Sequence, residues 1–314
     1  MNPPSTPPTP RALGPVKCVW PAQASLGEGL LWSEQHQLLY WLDILQKRLH
    51  SFNPASGAQH SWTFDEEISA LAERAGAPGL VVALRRGFAE WDPAEPDAAP
   101  RYLAQPEGEP PSNRFNDGKC DAQGRFWAGT MDFGCVAPSG RWYRLDPDGT
   151  CAPHMAGYAV TNGPTWSRDG QTMYINDTAR GQVLACDYDG TSGTPGAPRE
   201  WLRLGDRDGK GDGKGDGVPD GMTTDADGRL WIAHWGGSCV SCHDAGSGAE
   251  LYRIALPASQ ITNCTFGGAD LRTLYISSAR VGLDAAQRAA EPLAGALFSV
   301  PLDCAGLPAH RFGG

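Results

Sequence analysis

An all-β fold is predicted by three features of this chain: dense glycine and proline punctuation, few apolar runs at helical period, and a strand-like unit that keeps recurring. The 314 residues include 40 Gly, 26 Pro and 11 Trp. Such a composition suits many short strands joined by tight turns, with aromatics to fill the spaces between them.

The unit is clearest in an apolar-aromatic strand. It appears as Leu39-Tyr40-Trp41, Val81-Val82, Phe126-Trp127, Met173-Tyr174, Leu230-Trp231 and Leu274-Tyr275. With Tyr40, Val82, Trp127, Tyr174, Trp231 and Tyr275 as markers, the steps are 42, 45, 47, 57 and 44 residues. Only one step is long, and it holds a Gly/Asp/Lys run within residues 205–217 that reads as an insertion of unassigned role.

A second strand motif follows each marker: Leu49 to Pro54, Phe88 to Pro93, Trp142 to Pro147, Val183 to Tyr188, and weaker copies at Cys239 to His243 and Leu297 to Pro301. Turns suited to hairpins precede several markers, at Asp121 to Gly124, Ser167 to Gly170 and Asp225 to Gly228. Six units of this kind, each with room for a fourth strand, predict a six-bladed β-propeller of four-stranded antiparallel blades around a central channel. Val16 to Trp20, upstream of the first unit, is expected to complete the last blade. Residues 1–14 are expected to form a disordered Pro-rich leader, and 15–314 a single propeller domain. A β-sandwich or two separate β domains is the competing architecture.

The formal charge of −10 argues against nucleic acid, which demands clustered Lys and Arg. Met1 to Arg11 lacks the apolar core of a signal peptide, and no stretch approaches the roughly 18 apolar residues of a membrane span. Nine scattered cysteines, an odd number, read as free thiols in a reducing compartment. The chain is therefore expected to be cytoplasmic, without membrane or nucleic-acid partners, and a monomer or weak homodimer.

In a propeller the first strand of each blade lines the channel, so residues at equivalent offsets in those strands meet at one mouth. Here they are Glu28, a residue near Ser69 or Ala70, Asn116, Asn162, Asp220 and Asn263. Four of them lie beside a glycine: Glu28-Gly29, Asn116-Asp117-Gly118, Asn162-Gly163 and Asp220-Gly221. Two carboxylates among amides in a narrow channel repel unless a cation lies between them. Oxygen donors alone suit Ca²⁺, Mg²⁺ or Mn²⁺, with Zn²⁺ or Fe²⁺ also admissible at so few ligands. The bland reading is that Asn-Gly and Asp-Gly are turn residues with no further duty.

The sequence resembles the gluconolactonase, regucalcin and senescence-marker-protein family over about Leu26 to Phe312. The resemblance is carried by Leu26-Gly27-Glu28-Gly29 with Trp32, Asn113 to Lys119, Trp127-Ala128-Gly129-Thr130-Met131, Asn162-Gly163, Pro219-Asp220-Gly221-Met222, and Phe266-Gly267-Gly268 leading to Ser278-Ala279-Arg280. It implies a sugar lactonase with one divalent metal, Ca²⁺ first among the candidates. By it, Glu28, Asn162 and Asp220 are metal ligands, and Arg114 and Asn116 bind substrate. Some members carry a substrate-contacting Glu shortly after Gly-Thr-Met; here Asp132-Phe133-Gly134 follows, so that contact is missing or moved to Asp132. The ion would polarise the lactone carbonyl, with Asp220 as ligand and general base. The other readings are a propeller phosphotriesterase or different lactonase, and a non-catalytic calcium-binding or small-molecule-binding propeller.

Three further motifs are weighed against this reading. Cys239-Val240-Ser241-Cys242-His243 matches a haem-attachment signature but falls on a predicted strand, where a surface thiol pair is the expectation. The Asp/Gly/Lys insertion fails the EF-hand ligand pattern and is expected to be a solvated loop near the channel mouth. His234 is expected to be packed or at the surface, and no Gly-x-Ser-x-Gly elbow supports a serine hydrolase.

Overall fold

The computed structural model describes residues 8–205 and 215–314. Six small antiparallel sheets form a ring, each built from sequence-adjacent strands except the last. Their first strands are Gly27–Ser33, Ile68–Glu73, Asn113–Cys120, Thr161–Trp166, Val218–Thr224 and Ile261–Gly267, numbered here as blades 1 to 6. Each first strand packs against the first strand of the next blade, and that of blade 6 packs against blade 1. The ring closes as expected: Lys17–Trp20 pairs antiparallel with Leu297–Pro301 and completes blade 6.

All six marker residues fall on the second strand of their blade, and the weak motif copies are the third strands of blades 5 and 6. The hydrophobic cores lie between blades, not within them. Leu31, Leu42, Leu71 and Val82, for example, join blades 1 and 2 in one cluster, and Trp231, Val240, Ile276 and Phe298 join blades 5 and 6 in another. A blade buried on both faces needs apolar groups on both, which is why alternation along the strands is imperfect. Trp41, Trp127 and Trp231 are wholly buried in these inter-blade layers.

The hairpins between first and second strands are held by their own side chains. In blade 3 Asp121 accepts from the backbone N–H of Gln123 and Arg125 and pairs with the Arg125 guanidinium at 2.6 Å. Blade 5 repeats the device with Asp225, Asp227 and Arg229. Both Arg–Asp pairs are buried, so removing one partner would strand a charge inside the ring.

Every first strand slips its register with the second strand at the same level: between Glu28 and Leu31, Ile68 and Ala70, Phe115 and Asp117, Asn162 and Thr165, Pro219 and Met222, and Ile261 and Asn263. A bulge of this kind twists the strand and re-aims a side chain, and bulges gather beside functional sites. The polar-glycine pairs are therefore not hairpin turns. They are the bulged steps of the channel-lining strands.

The C-terminal tail crosses the far mouth of the channel. Gly306 bridges Asp225 of blade 5, and Phe312 bridges Arg74 after the first strand of blade 2. Of the leader, residues 1–7 lie outside the described residues, whereas Ala12 bridges Leu302 and Arg11 pairs with Asp303. Most of the insertion, residues 206–214, also lies outside them. Among the described residues no helix is long and apolar enough to cross a membrane.

Candidate active site

At the bulged level of the channel the structure brings Glu28, Asn116, Asn162, Asp220 and Asn263 to one rim, all buried. Backbone stitching between blades sets their height. The Thr262 hydroxyl donates to Gly27 O at 2.5 Å, tying blade 6 to the residue before Glu28. Thr178 Oγ1 donates to Pro219 O at 2.7 Å, and Asn176 Nδ2 donates to Asp220 O, tying blade 4 to the residues that carry Asp220.

Two glycines make this convergence sterically possible. A Cβ on Gly221 would lie 2.4 Å from Asn263 Cγ, so blades 5 and 6 approach only because Gly221 has no side chain. Gly163 has φ +82°, and a Cβ there would meet the Met222 terminal methyl at 2.8 Å. Gly163 and Gly221 thus let neighbouring inner strands pack closely, whereas Gly29 and Gly118 make room inside their own blades, for Leu42 and for the Trp127 carbonyl.

A chain of hydrogen bonds orients the amides. Arg114 Nη1 donates to Asn116 Oδ1 at 2.6 Å and to Phe115 O at 2.9 Å. Asn116 Nδ2 donates to Asn162 Oδ1 at 2.8 Å and to Thr161 O at 2.7 Å, and Asn162 Nδ2 donates to Thr178 Oγ1 at 3.0 Å. On the opposite side, Glu28 Oε2 accepts from Asn263 Nδ2 at 3.0 Å and Gly29 N at 3.2 Å.

The electrostatics of this rim are unfavourable in the absence of a cation. Burial pushes Glu28 well above the ordinary carboxylate range, and the negative charges of Asp220 and Asp117 push it further. Asp220 is likewise raised well above its ordinary value by burial and then by Asp117, against the Gly221 N–H and Arg114. Asp117 itself is raised to about 7 by burial, opposed first by Lys119 and then by the Gly118 and Gly163 N–H groups. Burial lowers Arg114, while Cys135, Glu28, Glu67 and Asp220 hold it up.

These observations fit a hard divalent ion. Two buried carboxylates that destabilise each other's charge, with amide oxygens alongside, form an all-oxygen donor set whose strain a cation would relieve. Among the described residues no three His, Cys, Asp or Glu side chains converge as ligands. The amide oxygens at this level are already engaged in part, since Asn162 Oδ1 accepts from Asn116 Nδ2 and Asn116 Oδ1 accepts from Arg114.

Asp132 stands apart from the rim. Its carboxylate accepts from the backbone N–H groups of Val136 and Ala137, each at 3.1 Å, and so caps the loop that carries Phe133. The exposed Phe133 ring lies over Arg114, whose guanidinium carbon is 5.5 Å from its centroid, and under Arg85 at 5.7 Å. The loop thus supplies an aromatic wall at the mouth where the resemblance expects an acid.

Asp117 and Lys119 were missed as site residues, although both stand in the quoted motif. Their signal was the two-residue alternation beyond the bulge, which turns both side chains to the channel. The thiol pair corrects an expectation. Cys239 and Cys242 are buried, not at the surface, because a third strand has a neighbouring strand on each side and a blade on each face. All nine cysteines are free. His234 is a packed residue, bonded to Asp216 O at 2.5 Å and to Ser241 Oγ at 2.6 Å.

Comparison with known proteins supplies the last observation. The family model described as SMP-30/Gluconolactonase/LRE-like region matches residues 26–280. A Bacillus subtilis protein given the provisional name sugar lactone lactonase YvrE is 36% identical over 93% of this chain and 96% of its own length. A Pseudomonas putida 6-deoxy-6-sulfogluconolactonase is 35% identical over 95% of this chain and 99% of its own. The crystal structure of an Agrobacterium tumefaciens calcium-binding protein, regucalcin, superposes with a TM-score of 0.86 at 28% identity, covering 94% of this chain and 96% of that one.

Proposed function

This chain belongs to the SMP-30/gluconolactonase/LRE-like family, and from that premise we propose that it is a metal-dependent lactonase that hydrolyses a sugar lactone to the aldonic acid. The family's named enzymes are carboxylic-ester hydrolases, and sugar lactone hydrolysis is the chemistry they share with this chain. The observation that carries the finer reading is the common register slip, which aims Glu28, Asn162 and Asp220 into one rim beside Arg114.

Glu28, Asn162 and Asp220 would hold one divalent ion, Ca²⁺ before Zn²⁺, Mn²⁺, Mg²⁺ or Fe²⁺, which when bound supplies Lewis-acid stabilisation of charge on the lactone carbonyl oxygen. The rest falls to the side chains. Asp220 takes a proton from the attacking water as the water oxygen bonds to the carbonyl carbon. The bond from that carbon to the ring oxygen then breaks, and the same proton passes to the departing ring oxygen, leaving acid and hydroxyl. Arg114 and Asn116, already locked to each other, hold the sugar hydroxyls, and rigid donors of this kind discriminate strongly between rings.

A pH-indicator assay over five- and six-membered aldonolactones, with an organophosphate alongside, tests the proposal. Turnover of at least one lactone in preference to the organophosphate is expected. Preference for the organophosphate over every lactone, or ion binding with no turnover of either, would overturn it.

A further inference from the structure

Behind the rim, toward the far mouth, the channel opens into a cavity of about 490 Å³. Residues of all six first strands line it, among them Asp117, Lys119 and Asn263, and the tail segment Leu307 to His310 closes it. Asp117 and Asn263 face both ways, since Asn263 also holds Glu28 and Asp117 repels both Glu28 and Asp220. The cavity is thus the back door of the same carboxylate group.

One ammonium stands in that door. Lys119 leaves the first strand of blade 3 and crosses the channel, past blade 4, to donate from Nζ to Met222 O of blade 5 at 2.9 Å. Its charge faces Asp117, with the Cys264 thiol and His310 imidazole as the other titratable groups in range. Three buried acids, Glu28, Asp117 and Asp220, therefore share two buried or partly buried cations, Arg114 on the rim side and Lys119 on the cavity side. A divalent ion at Glu28, Asn162 and Asp220 would leave Asp117 as the acid that Lys119 alone must balance.

We infer that Lys119 is a resident cation of the channel: bound to Met222 O and facing Asp117, it occupies the place a second divalent ion would take and so confines metal to the rim. Without the ammonium, the Asp117 carboxylate and the Met222 carbonyl remain as hard oxygen donors beside a cavity wide enough for the waters that would complete a Ca²⁺ shell of about six to eight oxygens. With it, a second dication would meet a fixed like charge in a poorly screened site. Lys119 is on this account a positioning residue, not a catalytic one. The inference rests on the metal reading above only for the rim ion.

The test is Ca²⁺ stoichiometry by equilibrium dialysis on the full chain, with native circular dichroism as the control for folding. Lys119→Met should bind one ion more than the unsubstituted protein, two against one, and Lys119→Arg should bind the same number as the unsubstituted protein. The double variant Asp117→Asn/Lys119→Met, which removes both charges, should return to the original count and so shows that the ion gained in Lys119→Met depends on Asp117. Asp117→Asn alone, which leaves Lys119 unopposed behind the rim, should weaken rim binding by roughly tenfold or more. A folded Lys119→Met protein with unchanged stoichiometry, or Asp117→Asn with unchanged affinity, overturns the inference while leaving the rim site intact. A gain from zero ions to one would instead uphold the inference and overturn the metal-dependent reading.

Discussion

Blades 2 and 5 use the same backbone device to opposite ends. Both first strands slip register at the same level, between Ile68 and Ala70 in one and Pro219 and Met222 in the other. In blade 5 the slip delivers Asp220, and Gly221 beside it lets blade 6 close in. In blade 2 it delivers Ser69, whose hydroxyl is spent on Phe115 O at 2.7 Å, and Ala70 follows in place of a glycine. The fold therefore supplies six equivalent rim positions, and a single side chain decides whether each becomes chemistry or mortar.

The largest effect that would break this comparison comes from cutting both side chains back. Asp220→Ala should lower kcat/KM for the best lactone by about 10² to 10⁴, the usual loss with a general base. Ser69→Ala should leave turnover intact and cost about 1 kcal/mol of stability in a denaturant titration, since Phe115 O keeps its bond from Arg114. Comparable losses of activity in both would mean that blade 2 also takes part in the chemistry.

The residues that follow sharpen the contrast. Gly221→Ala forces a methyl onto Asn263 and through it disturbs Glu28, so about 1–3 kcal/mol of stability and most of the divalent-ion affinity should go. Ala70→Gly meets no such contact and should cost about 0.5–1 kcal/mol with ion affinity unchanged.

How much of this was legible in the sequence depends on what each residue answers to. The marker aromatics answer to the inter-blade cores, a repeated demand, so Tyr40, Trp127 and Trp231 gave the period and with it the fold, and Lys17–Trp20 was left over to close the ring. Asp220 and Glu28 were visible because they break that repeat at a fixed offset. That the offset is a bulge was not visible, because Asn-Gly and Asp-Gly serve turns and bulges alike. The inter-blade bonds of Thr178, Asn263 and Lys119 were hidden too. They depend on how far the inner strands stand apart, and no single strand encodes that distance. The burial of Cys239 and Cys242 was missed for the same reason, since it arises from neighbouring strands and blades.

A milder effect is expected from pH. Glu28, Asp117 and Asp220 have folded values raised above their unfolded ones, so the folded chain binds more protons than the unfolded chain. Stability of chelated protein should then fall as pH rises from about 4 through 7. Added Ca²⁺ should raise the melting temperature more at pH 8 than at pH 4.5. A flat melting temperature across that range in chelated protein would show that burial, with the repulsion of neighbouring acids, does not raise these carboxyls.

The smallest effect belongs to Asp132. As the cap of the Phe133 loop it should tolerate Asp132→Asn with KM changed by no more than about threefold and stability by about 1 kcal/mol. A larger rise in KM with kcat intact would make it a substrate ligand after all.

That distant blades present oxygen donors to a single cation is tested most directly by an anomalous difference map from crystals soaked in Ca²⁺ or Mn²⁺. One peak within about 2.3–2.6 Å of the side-chain oxygens of Glu28, Asn162 and Asp220 is the result expected for calcium, with manganese somewhat closer. A map with its peak elsewhere, or with those three oxygens too far apart to share an ion, would contradict the account.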